Sequence, residues 1–139
     1  VGLRTIRLRL RTPAAEETAA LIRSLRPRGI RTLIVVQDFV TISAREHIGR
    51  VALEEGVATI TDEREFAEQG ALLSFGADVP DLFRRSATYI DRIIKGARPG
   101  DLPIQLASKF ELVLNLKTAR GLGLNMPRHL IDLADELIE

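Results

Sequence analysis

The chain has 139 residues, of which 45% are hydrophobic and 28% charged, and its formal net charge is +1. That length suits one domain with a real core, not two well-packed lobes around a cleft, and the composition excludes disordered, fibrous and membrane-embedded classes. A near-neutral balance gives no general pull toward nucleic acid, and the lack of cysteine removes disulfides, thiolate nucleophiles and Cys-based zinc sites.

The start, Val1-Gly2-Leu3-Arg4, shows none of the charged, apolar and small-residue succession of an export signal, so a mature or truncated product is expected. From Thr5 to Leu10, Arg7 and Arg9 alternate with Ile6, Leu8 and Leu10, which predicts a half-buried strand. Its cationic face, extended by Arg4 and Arg11, discourages edge pairing and is read as solvated, because no aromatic residues interleave for base stacking. Thr12-Pro13 then opens a helix whose inward face is Ala15, Ala19, Ile22 and Leu25, stopped by Pro27 and Gly29.

Thr32 to Val36 is apolar on both faces, the pattern of a buried parallel strand; its run Leu33-Ile34-Val35-Val36 is far short of the roughly 20 residues that span a membrane. A loop over 37–42 precedes a helix that Ser43 and Glu46 begin as a capping box and Gly56 ends. A short strand follows at Val57 to Ile60, then a polar turn and short helix ending at Gly70, then a strand around Leu72 to Phe75. Asp78 and Pro80 open the clearest helix, with Val79, Leu82, Phe83, Ala87, Ile90, Ile93 and Ile94 on one face and Gly96 as its stop. After a Pro/Gly-rich connector come a strand at Phe110 to Leu114, a helix from Leu116 to Leu122, and a last helix from Pro127 through Leu130, Leu133, Ala134 and Leu137.

Alternating strands and helices, with strands apolar on both sides, predict a doubly wound, mostly parallel α/β sheet with helices on both faces. Ligands in such sheets sit beyond the carboxyl ends of the strands. The expected ligand site is therefore Asp38 and Phe39 with Ser74, Phe75 and Gly76: Asp38 accepts a charge-assisted hydrogen bond and Phe75 offers an apolar face. For Asp38 the alternative, a carboxylate that only caps the following turn, carries equal weight. No phosphate-binding glycine loop, nucleophile elbow or zinc-binding histidine pair is present, and Gly121 with Gly123 reads as a helix end. His47 and His129 lack partners at ligand spacing, and Asp62, Glu63, Glu65 and Glu68 alternate with Arg64 as a solvated turn. No catalytic residues, metal or cofactor are expected.

From Arg64 onward the residues carry a resemblance: Arg64-Glu-Phe-Ala-Glu-Gln-Gly-Ala-Leu-Leu-Ser-Phe-Gly76, then Asp81-Leu-Phe-Arg-Arg-Ser-Ala-Thr-Tyr-Ile-Asp-Arg-Ile-Ile-Lys-Gly-Ala-Arg-Pro-Gly-Asp-Leu-Pro103. Lys109-Phe-Glu-Leu-Val-Leu-Asn-Leu-Lys-Thr-Ala-Arg-Gly-Leu-Gly-Leu124 and Ala134-Asp-Glu-Leu-Ile-Glu139 continue it. These resemble the substrate-binding proteins of ABC-type importers, a group that includes tryptophan-binding lipoproteins; residues 1–63 resemble it more loosely, and Gln105-Leu-Ala-Ser108 departs from its usual Glu-Gln-Pro-Thr. The resemblance implies a flavodoxin-like lobe of a type I periplasmic binding protein, with residues 1–139 as most of the C-terminal lobe of two.

It also implies a non-enzymatic function, binding a small-molecule solute for delivery to an ABC permease, in the periplasm or another extracytoplasmic space. A lobe without its first strand is expected to self-associate or to be only marginally stable, and no nucleic-acid partner is expected. A cytoplasmic sensory or regulatory module on the same fold is the alternative.

Overall fold

The computed structural model describes residues 5–139; Arg4 of the cationic run and the rest of the start lie outside them. In chain order the elements are α1 (Ala15–Arg23), β1 (Thr32–Ile34), α2 (Phe39–Ser43), α3 (Arg45–Glu54), β2 (Ala58–Thr61), α4 (Arg64–Glu68) and β3 (Leu73–Ala77). They continue with α5 (Val79–Ile94), β4 (Phe110–Asn115), α6 (Leu116–Gly121), α7 (Arg128–Leu133) and β5 (Glu136–Ile138).

The strands form one sheet in sequential order, and three of its four pairings are parallel, β1 with β2, β2 with β3 and β4 with β5. Only β3 and β4 run antiparallel, because the chain leaves the sheet at the end of β3 and re-enters at the same edge. The mostly parallel α/β sheet expected from the sequence is therefore present.

The core fills one side of it. Ile22 and Leu25 from the α1 segment, Ile48, Val51 and Ala52 from α3, and Phe66 from α4 pack with Val35 and Val57. By register Leu33, Thr59, Thr61, Ser74 and Val113 point to this side. The other side is the more apolar, with Ile34 beside Ile60, Ile60 beside Leu73, and Phe75 beside Leu112. Ile34 is nevertheless 66% exposed and Phe75 56%. Helices on both faces were expected; near β1 and the strand ends the second face is open.

Four local expectations are corrected. Residues 5–11 form no strand: Leu8 and Leu10 keep the predicted inward alternation and pack on the core, but no ladder partner flanks β1 on that side among the described residues. The loop over 37–42 is helix α2, begun by Asp38, and the capping box belongs to Asp38 and Thr41, with Ser43 ending α2. The last helix is cut at Leu133: Ala134 turns extended, the Asp135 carboxylate accepts from the Leu112 amide at 2.8 Å, and β5 pairs with β4.

The fourth concerns α5, which runs where its apolar spacing predicts but buries none of its residues. Phe83 is 73% and Ile94 80% exposed, and α5 makes no extensive contact with any other helix or strand. It packs instead on its own return segment, where Tyr89 donates to the Pro103 carbonyl at 2.6 Å and Arg85 to Gln105 and Ser108 at 2.9 Å each.

Candidate site at the strand carboxyl ends

Because β1, β2 and β3 are parallel, their carboxyl ends open on one edge, and the antiparallel β4 begins there too. Gln37-Asp38, Asp62-Glu63, Ala77-Asp78 and Lys109-Phe110-Glu111 thus share that edge. Such an edge presents backbone groups with no further ladder partner, which is why ligands settle there.

At the β1 end Asp38 lies in extended backbone, and its Oδ1 accepts the Thr41 amide at 2.8 Å while the Asp38 amide donates to Thr41 Oγ1 at 2.8 Å. The Thr41 amide bond, foremost, holds the Asp38 carboxyl below its ordinary range, so it is an anion at neutral pH. Phe39 stands 83% exposed beside it. Gln37 donates to Glu63 and ties the β1 end to the β2 end. Burial, with Glu65 and Asp62 adding repulsion, pushes the Glu63 carboxyl upward.

At the β2 end Arg64 is fully engaged. It meets Glu68 at 3.1 Å, Glu111 at 2.7 Å and Glu136, joining α4 to β4 and β5. A guanidinium spent on three carboxylates is a fastener for the sheet edge rather than a ligand receptor. A recess of about 20 Å³, room for about one water, lies among Asp62, Arg64, Ser74, Gly76, Ala77 and Glu111.

At the β3 end the Phe75 ring stacks on Phe110, centroids 5.7 Å apart, giving a half-exposed aromatic surface. Gly76 sits against the Asp62 carbonyl with no space for a side chain. Ser74 is 2% exposed and lies on the core side between Thr61 and Val113. Asp78 Oδ1 caps α5 by accepting the Asp81 amide at 2.9 Å, and Lys109 Nζ donates to Oδ2 at 2.6 Å.

Of the five expected site residues, the structure groups Phe75 and Gly76, sets Asp38 and Phe39 on the same edge across the end of β2, and turns Ser74 inward. Sequence reasoning missed Lys109, Phe110 and Glu111, since an antiparallel return 31 residues after Asp78 leaves no local signal. A larger concavity, about 370 Å³, lies away from this edge, between α5 and residues 99–105, and belongs to the return segment.

Residues 9–138 match the model of a family described as ABC transporter substrate binding protein. A tyrosine-binding protein of Clostridioides difficile (strain R20291) is 25% identical over 95 residues, 68% of this chain and 28% of that protein. Among solved structures, a domain in complex with L-Trp from Streptococcus pneumonia superposes with a TM-score of 0.79 at 24% identity, covering 91% of this chain and 43% of that one. The ligand-free, open form of a substrate-binding protein with adhesive properties from Clostridium difficile gives 0.68 at 22%, covering 90% and 41%. The chain thus spans 28% of the curated relative and about two fifths of the structural neighbours.

Proposed function

This chain belongs to the ABC transporter substrate-binding protein family, and we propose that it is the C-terminal lobe of a two-lobed solute binder, contributing the strand-end edge to the ligand site. The observation that carries this reading is the segment 79–109. It leaves the sheet between β3 and β4 and presents an amphipathic helix that, among the described residues, only its own return segment partly covers, leaving Phe83 73% and Ile94 80% exposed. An α-helix gains its stability by burying such a face, so α5 is built to pack on a body outside this sheet. Because α5 starts at Asp78, at the carboxyl end of β3, a lobe seated on its first turns adjoins that edge.

The solute is an amino acid or similar molecule, the class named for two of the relatives, tyrosine for one and L-Trp for the other. Asp38 answers its ammonium group, and Phe39 and the Phe75–Phe110 stack offer an apolar wall. Binding and delivery to a membrane permease need no bond making, so the role is non-catalytic, and the place of action is outside the cytoplasm. Nothing observed favours the regulatory alternative.

The test is a thermal-shift screen of the polypeptide extended to its relatives' length against amino acids, nucleosides and small acids, followed by calorimetry on any hit. A ligand of the folded state raises the apparent midpoint by mass action. Saturable one-to-one binding of an amino acid supports the reading; no shift with any class overturns it.

A further inference from the structure

The whole excursion 79–109 hangs from the sheet through two backbone strands and one side-chain pair. The strands are β3 and β4, and the last backbone bond between them runs from the Asp78 amide to the Lys109 carbonyl at 3.0 Å. Beyond it, among the described residues, the side-chain hydrogen bonds of the excursion run within itself, through Tyr89 to Pro103 and Arg85 to Gln105 and Ser108. It is therefore a stiff arm on a narrow neck.

At this neck the side chain of Asp78, the residue directly after β3, meets both the first turn of α5 and the residue that precedes β4. One carboxylate oxygen fixes the first turn of α5 through the Asp81 amide, and the other takes the Lys109 ammonium at the start of β4. A carboxylate bound at both oxygens couples the first turn of α5 to the residue that precedes β4. The Asp78 side chain is 14% exposed and that of Lys109 64%, so the bond is sheltered on the carboxylate side and open to water on the ammonium side.

We propose that Asp78 and Lys109 are positioning residues that set the angle of the α5 arm to the sheet, and through it the orientation in which the two lobes meet over solute. The consequence for the lobes rests on the two-lobe reading; the clamp itself does not. The native chain has no cysteine, so Glu46→Cys on α3 and Thr88→Cys on α5, both exposed positions, carry a pair of spin labels without background. Labelled protein diluted into unlabelled protein is measured by pulsed electron spin resonance.

The clamp requires a single narrow distance distribution in the parent. Lys109→Met, which leaves the Asp78 cap intact, broadens it at least twofold with circular dichroism unchanged. Asp78→Asn, which retains a capping oxygen and loses the charge, behaves alike. A parent distribution that is already broad, or an unchanged width in both variants, overturns the clamp. Failure of the two-lobe reading shows separately, as loss of all solute binding in the extended polypeptide.

Discussion

The Asp62 carbonyl oxygen occupies the space that a side chain at Gly76 needs: a β-carbon there falls 1.8 Å from it. Both groups are backbone, so neither side yields by a rotamer change. Gly76→Ala must separate the ends of β2 and β3 and is expected to destabilise by about 3 kcal/mol, the upper end of ordinary overpacking. Gly100→Ala is the control, having nothing within 4 Å. Urea denaturation of both variants decides it: equal midpoints show that the strands do not hold this spacing.

The same residue marks how far the sequence was legible. Gly76 is a strand glycine, and position alone put it in the site, yet its contact with Asp62 depends on a partner 14 residues away that no pattern reveals. Alternation and capping residues located β1, β2, β3, β4 and α5 to within a few residues, because those signals are local. Pairing is not local. Residues 5–10 have the burial period of a strand without a neighbour, and Leu133-Ala134 satisfies a helical period until Asp135 binds the Leu112 amide and Glu136 joins β4. The candidate edge divides in the same way: the position of Asp38 at the end of β1 is a local signal, while the aromatic partner of Phe75 comes from across the antiparallel return.

Glu63 makes the fold sensitive to pH in the direction opposite to an ordinary ion-paired carboxylate. Its carboxyl is raised above the usual 4.5, first by burial and then by Glu65 and Asp62, so the folded state holds its proton more tightly than the unfolded chain. Stability is therefore greatest below the unfolded value and declines as pH rises through the raised one. Glu63→Gln keeps an acceptor for Gln37 and removes the decline. The variant is expected to melt higher than the parent at about pH 7 and with it at about pH 4. A parent equal to or more stable than the variant at neutral pH refutes the assignment.

The open side of β1 predicts the solution state of the isolated chain. Ile34 is 66% exposed on β1, an edge strand with one neighbour among the described residues, and Val36 just beyond it is 77% exposed, a surface that a second copy covers. Light scattering is expected to show concentration-dependent self-association. Burying an isoleucine is worth about 1.5–3 kcal/mol, so Ile34→Lys weakens association by about tenfold or more. A monomer at all concentrations in the parent shows that residues 5–11 and the solvated edge suffice.

Asp38 separates the two roles left open for it at the end of β1. Oδ1 accepts the Thr41 amide at 2.8 Å, so the carboxylate is unquestionably a cap. Whether it also meets solute is decided by two substitutions rather than one. Asp38→Asn retains an oxygen for the Thr41 amide and loses the charge; Asp38→Ala loses both, and its effect on binding is mixed with fraying of α2. A charge-assisted bond to a solute ammonium is about twice as strong as a neutral one, so Asp38→Asn in the polypeptide extended to its relatives' length is expected to weaken affinity by about tenfold while α2 stays folded. The depressed carboxyl makes the same point from the pH side: native affinity stays level as pH falls from neutral and drops only when the Asp38 anion is lost, below its ordinary 3.8, whereas the Asn variant shows no such drop. Calorimetry on the parent and both variants measures this. Native affinity in Asp38→Asn, with weakening confined to Asp38→Ala, assigns the residue to the helix cap and removes it from the proposed solute site.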